Sequence, residues 1–213
     1  MKIFYKLLDF LKNPEKAPAY QPMKFSEFFG LLILAIIVVV PYAYILEFMG
    51  MDQFENGLGD LLKENKWIIA IFGIVLAPLI EEPIFRLHLD LKITSIWYSL
   101  GLSLLFAMAI WFPIIFIGYM IFLLIRVSSD NPPPLKFVVY FSAAFFGLVH
   151  ITNFKDFDYG QYFYYIPFLV AIQFWIGLVL SYIRLNHGMK WAILFHGVYN
   201  TIFILPAIYF YEP

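Results

Sequence analysis

Long stretches of this chain pass with scarcely a charge, and that pattern leaves few folds open. A helix needs about 20 apolar residues to cross the ~30 Å hydrocarbon core of a bilayer. Runs of this kind cover roughly 28–48, 67–87, 94–109, 111–125, 136–153, 162–184 and 190–210. Backbone polar groups in lipid must be satisfied within their own segment, which selects helices. The expected fold is therefore all-α: a polytopic helical membrane protein with about seven transmembrane helices, six being the alternative. The difference lies in 93–125, which carries no charge between Lys92 and Arg126. As one helix it would be about 50 Å long, too long for one crossing. Trp111-Phe112-Pro113 is the natural break for two short helices in a hairpin.

Residues 1–27 read as a cytoplasmic interfacial segment and 28–211 as the transmembrane domain. In 1–13, Ile3, Phe4, Leu7, Leu8, Phe10 and Leu11 recur at helical spacing opposite Lys2, Lys6, Asp9 and Lys12. That is an amphipathic helix expected on the membrane surface. No cleavable signal peptide is expected, because the first apolar run starts late and is too long for one. With seven spans and the N-terminus inside, Lys63, Lys66 and Lys155 fall outside and the other eleven Lys and Arg stay inside. This positive-inside bias predicts a multi-pass protein of a bacterial inner membrane with a cytoplasmic N-terminus. Trp67, Trp97, Trp191, Tyr162, Tyr164 and Tyr211 are expected as interface anchors.

Composition removes several function classes. Hydrophobic residues make up 62% of the chain and charged residues 14%, far from a soluble domain. The net charge of −1 leaves no basic stripe for nucleic acid. With no cysteine there is no disulfide, thiol nucleophile or Cys-based metal site.

Ionisable groups inside spans are costly and are functional suspects by default. They occur here in three places. In Ala77-Pro78-Leu79-Ile80-Glu81-Glu82-Pro83-Ile84-Phe85-Arg86, the two glutamates point about 100° apart. Glu82 can pair with Arg86 at i,i+4, which leaves Glu81 without a local cation. Pro83 frees the carbonyl of Leu79 and predicts a bend. The second place is Phe146-Gly147-Leu148-Val149-His150, with Asn153 a turn further on. The third is His196-Gly197-Val198-Tyr199-Asn200, where His196 and Asn200 share a face and Gly197 permits close helix approach. His88 and His187 fall in or beside short basic inner segments and are assigned no chemistry.

Together these give a free carboxylate, two imidazoles and an amide on three spans. A carboxylate and an imidazole can deprotonate a water. A second imidazole and an amide N–H can donate to an oxyanion. No serine or cysteine nucleophile stands beside a base. The alternative use of Glu81, His150 and His196 is a zinc site with an open position.

The ordered set Glu81-Glu82-x-x-x-Arg86, Phe146-x-x-x-His150 and His196-x-x-x-Asn200 resembles the CPBP family. That family holds the CAAX prenyl proteases and bacterial relatives linked to bacteriocin processing and self-immunity. The resemblance covers about 67–211 and implies a four-helix catalytic core with an inserted hairpin near 93–125. It further implies that Glu81 and His150 activate the water, His196 and Asn200 form the oxyanion site, and Glu82, Arg86 and Phe146 support them. It implies an intramembrane endopeptidase with no cofactor, zinc being the alternative, acting on a membrane-associated peptide or protein. The family usually runs from its Glu-Glu helix to its Phe-x-x-x-His helix over a shorter separation, and the hairpin accounts for the excess here. An even number of added crossings leaves later helices in register. In this topology Glu81 and His196 lie toward the inner face, while His150 falls nearer the outer end of its span. Two other classes compete: a catalytically inactive immunity or scaffold protein, and a small-solute or proton transporter. The transporter is disfavoured by length and by the absence of paired broken helices.

Overall fold

The computed structural model describes residues 2–54, 57–104 and 112–210. The turn position expected at Trp111 and the anchor expected at Tyr211 lie outside the described residues. All regular elements among the described residues are helical.

Helix α1 (Lys2–Lys12) is amphipathic as expected, and part of its apolar face lies against the protein. Leu7 and Phe10 are buried in the main core. The Tyr140 hydroxyl donates to the Leu11 carbonyl at 3.0 Å. Phe4 and Tyr5 remain exposed. Helix α2 (Phe25–Phe48) is the first long apolar helix and runs through Pro41.

The second long helix is composite. Helix α3 (Leu58–Ile71) is kinked at Asn65, whose side chain accepts from the Ile68 N–H at 3.2 Å, so Asn65 caps the apolar stretch that follows. A π-helical turn at Phe72–Leu76 leads into α4 (Ala77–Arg86), which continues through Pro83. A 3₁₀ turn, Leu87–Asp90, completes the apolar stretch Asn65–Asp90.

Helices α5 (Ile93–Leu104) and α6 (Phe112–Ser128) are separate and pack on each other. At 1.5 Å per residue they are about 18 and 26 Å long, shorter than a typical span. Helix α5 buries a stripe of small polar residues, Ser95, Ser99 and Ser103. Ser99 donates to the Pro83 carbonyl at 2.9 Å, and Ser103 to the Ser99 carbonyl at 2.6 Å. Small side chains at four-residue spacing let α5 come close to α4.

Helix α7 (Leu135–Val149) ends in a 3₁₀ turn, His150–Asn153. The single helix expected over 162–184 is a broken one. The segment Tyr159–Leu169 meets α10 (Ala171–His187) at an angle of 42°. It contains α8 (Tyr159–Tyr162), a 3₁₀ turn and α9 (Ile166–Leu169). Pro167 lies in the first turn of α9 and supplies no N–H, so the segment starts afresh there. Tyr162, expected as an interface anchor, and Tyr165 pack with Phe54 in an aromatic cluster.

Helix α10 is the centre of the bundle. Every residue from Ile176 to Leu185 is buried, the pattern of a helix covered on all sides. Gly188 at φ 93° stops it, its N–H bonding back to the Ile183 and Arg184 carbonyls. The last helix, α11 (Met189–Phe210), follows at once. Helices α4, α7 and α11 each pack on α10, and α4 packs on both α7 and α11.

Among the described residues, four helices are long and apolar enough to cross a membrane, or five with the bent pair as one span. The chain is a polytopic helical membrane protein.

Helix α11 meets the π-turn through Gly197. A Cβ at that position would stand 2.9 Å from the Ile74 carbonyl oxygen, a backbone atom that cannot swing aside. Gly197→Ala is therefore expected to separate α11 from the π-turn and destabilise the fold by about 1–3 kcal/mol. Thermal or denaturant unfolding in detergent measures it; an unchanged midpoint contradicts the close approach.

Candidate active site

The sequence-level pair Glu82–Arg86 is present and fully sealed. Arg86 Nη1 lies 3.1 Å from Glu82 Oε1, and both side chains are 0% exposed. The guanidinium carbon sits 3.8 Å from the centre of the Phe146 ring, a cation–π contact that ties α4 to α7.

The same Glu82 oxygen holds His196. Its distance to His196 Nδ1 is 2.9 Å, across helices separated by 114 residues in sequence. The Nδ1 proton points at the carboxylate, which fixes the ring's orientation. The other ring nitrogen, Nε2, lies 3.9 Å from Glu81 Oε2. Glu81 is partly open, its side chain 25% exposed, in contrast to its sealed neighbour. Adjacent glutamates on one helix thus have separate environments, as their 100° offset dictates.

His150 begins the 3₁₀ turn after α7. Its Nδ1 is 2.7 Å from the Phe146 carbonyl. With Nδ1–H donated there, Nε2 keeps its lone pair. Glu81, His196 and Arg86 all lie within electrostatic range of this ring. Phe146 stacks edge-on to both imidazoles, at 4.7 Å from His150 and 5.8 Å from His196.

Asn200 donates from Nδ2 to the Gly73 carbonyl at 2.7 Å. Gly73 belongs to the π-turn, where the wider helical pitch displaces carbonyls from the regular ladder. One amide proton of Asn200 is used there, which fixes the side chain and leaves a second N–H.

A cavity of about 130 Å³ is lined by Phe146, His150, His196 and Asn200, together with Ile172, Gln173, Ile176 and Tyr199. The structure thus brings His150 to the level of His196 and Asn200, despite its place at the end of its helix. Glu81 does not line this cavity but approaches it through His196. Gln173 was not singled out by sequence reading: its Oε1 is buried without a partner. A lone glutamine beside a predicted helix break gives no signal at the sequence level. Tyr199, one residue before Asn200, was likewise unmarked.

His88 and Arg184, which the sequence places in or beside short basic inner segments, are both buried. His88 is 0% exposed, lying edge-on to Phe116 and Tyr119 of α6. Helix α6 covers it. Arg184, 3% exposed, donates to the Arg86 carbonyl at 3.2 Å and to Asp90 Oδ2 at 3.1 Å. It also bonds the Tyr20 hydroxyl. A cation at the end of α4 satisfies carbonyls that the helix leaves unpaired.

Among the described residues, no three His, Asp or Glu side chains are gathered as metal ligands would be. His196 Nδ1 and His150 Nδ1 are already engaged. The Glu81, His150 and His196 set considered for zinc is not drawn together, and no chemical step is derived through a metal.

Fold and site define a helical membrane protein with two imidazoles and an amide lining an interior cavity and a carboxylate 3.9 Å from one of the imidazoles. The family model for Type II CAAX prenyl endopeptidase Rce1-like proteins matches residues 63–202. The chain belongs to this family, within the CPBP group. Its activity class is accordingly that of CAAX-type membrane proteases, with a membrane-associated protein as the class of substrate. Comparison with curated proteins gives no match, and comparison with solved structures gives none.

Proposed function

We propose that this protein is an intramembrane endopeptidase in which Glu81 and His150 activate water while His196 and Asn200 stabilise the oxyanion. The observation that carries this reading is the grouping of Phe146, His150, His196 and Asn200 around one cavity, with Glu81 3.9 Å from His196. Glu81 is the carboxylate not committed to Arg86, and His150 offers a free Nε2. Both can accept from one water. As the water attacks a peptide carbonyl, negative charge develops on its oxygen, and the remaining Asn200 N–H is a fixed donor for it. The donor role of His196 takes the doubly protonated ring, with one N–H on Glu82 and the other facing the reacting carbonyl. The leaving amine takes its proton back from the Glu81–His150 pair. The reaction as written requires no metal and no covalent intermediate.

Asn200→Ala is expected to lower kcat about 10²–10³-fold, the usual loss for one oxyanion donor, with the protein still folded. Cleavage of a membrane-derived peptide library by wild type and variant measures it. Full activity in a folded Asn200→Ala protein rules out the oxyanion role. An inactive immunity or scaffold protein predicts no cleavage by the wild type at all.

The proposed topology has seven crossings, with an N-terminus on the cytoplasmic side of a bacterial inner membrane. The core covers 67–211, and α5 and α6 form the inserted hairpin at 93–125, following the interfacial segment 1–27. The native chain has no cysteine, so single cysteines at Ala109 or Trp111 report without background. They should react with an impermeant thiol reagent from outside the cell. Labelling only from the cytoplasmic side overturns this topology.

A further inference from the structure

A second cavity, of about 660 Å³, lies between α1, the start of α2 and the end of α10. It is remote in fold from the cavity of His150 and His196, and the proposed chemistry makes no use of it. Its position is that of a lipid headgroup. Lys24 directly precedes the long apolar helix Phe25–Phe48. His187 ends α10, and Lys6 lies on amphipathic α1. These are the levels at which apolar spans give way to water.

The polar groups in this cavity are unevenly satisfied. Glu27 Oε1 accepts from Lys6 Nζ at 3.1 Å and from the Tyr182 hydroxyl at 2.9 Å. Glu27 Oε2 faces His187 Nε2 at 3.8 Å, beyond hydrogen-bond reach. The His187 side chain is only 8% exposed. Its Nδ1 is committed to the Gln21 carbonyl at 2.9 Å, so the neutral ring presents a lone pair at Nε2. That nitrogen is buried without a hydrogen-bond partner. In the neutral ring two acceptors, Glu27 Oε2 and His187 Nε2, stand side by side 3.8 Å apart. A group with several N–H bonds on one compact cation fits this arrangement, which is a primary ammonium.

Charge agrees with the geometry. Lys6 and Lys24 line the cavity with three carboxylates, Asp9, Glu15 and Glu27. The cavity thus carries groups of both signs, as a zwitterionic headgroup requires. A phosphate attached a short distance from the ammonium would find Lys24 in the same cavity.

We infer that this cavity binds the headgroup of a primary-amine phospholipid, a phosphatidylethanolamine. Its ammonium donates to Glu27 Oε2 and His187 Nε2, and its phosphate faces Lys24. The bound lipid would join α1 to the bundle through a molecule of the inner leaflet.

Native mass spectrometry of the full chain in detergent tests this with a headgroup series. Phosphatidylethanolamine, its N-methyl and N,N-dimethyl derivatives and phosphatidylcholine, all with the same acyl chains, are titrated in turn. Retention should fall as N–H bonds are replaced, with phosphatidylcholine about tenfold weaker, the scale of one charged hydrogen bond. Glu27→Gln should flatten the series, and His187→Phe, on another helix, should do the same. A flat series in the wild type overturns the proposal even if neither variant folds. Equal or better retention of phosphatidylglycerol also overturns it, since the cavity would then be reading phosphate alone. Soluble phosphoethanolamine binding as tightly as the lipid would assign the cavity to a free amine and overturn the lipid as its source.

Discussion

Glu81→Gln should reduce turnover by about 10²–10⁴-fold, the range of a general base, without loss of folded protein. Glutamine keeps the shape and a hydrogen-bonding oxygen but cannot take a proton. Glu81 is partly exposed and is engaged only by the 3.9 Å approach of His196, so little stability depends on it. Substrate should still bind, and KM should move far less than kcat. The neighbouring Glu82→Gln makes a useful contrast. It alters a sealed ion pair and the anchor of His196, so it should lose fold along with activity. A folded Glu81→Gln protein that cleaves at the wild-type rate removes Glu81 from the chemistry. Metal analysis of active wild type addresses the rival scheme: one equivalent of tightly bound zinc, required for activity, would replace the mechanism proposed here.

Arg86→Ala should cost about 3–5 kcal/mol of stability, because it breaks a sealed ion pair and leaves the Glu82 carboxylate with the His196 N–H as its remaining partner. Glu82 and Arg86 are both 0% exposed, so water cannot replace the lost partner. The variant also removes the cation from the Phe146 ring. Collapse of folded yield, read by size-exclusion profile and thermal unfolding, is the expected result. A variant that is expressed and melts like wild type, and is only slow, would show that the pair is not structural. Arg86→Lys separates the two contributions. It restores charge but not the planar guanidinium that lies over the ring, so it should recover part of the stability.

What could be read from sequence followed from local spacing. Apolar runs located α2, the Asn65–Asp90 stretch, α7 and α11, because lipid imposes length and composition on each crossing directly. The Glu82–Arg86 pair was legible because i,i+4 geometry is fixed by the helix itself. The role of Gly197 as a point of close approach was legible for the same reason, though its partner, the Ile74 carbonyl, was not. The contacts that complete the site run between distant segments. The tie from Glu82 to His196 and the bond from Asn200 to Gly73 depend on how helices dock. The π-turn has no residue signature, since it inserts extra pitch without requiring glycine or proline. The burial of Arg184 and His88 was not legible because hydropathy reports the cost of burying a group, and is silent on partners that offset it. The break at Val170 was hidden for a similar reason: apolar residues continue across it and keep hydropathy high.

The bond between Glu82 and His196 has a consequence for how the chain is made. Its two ends emerge from the ribosome 114 residues apart, and the Arg184 bond to the Arg86 carbonyl spans 98. Synthesis is vectorial, so α4 must enter the bilayer well before either partner exists. During that interval the acidic helix has only its internal Glu82–Arg86 pair to moderate the burial of charge. The pair therefore serves as a chaperone in cis for a helix that is complete only when the last two have been inserted.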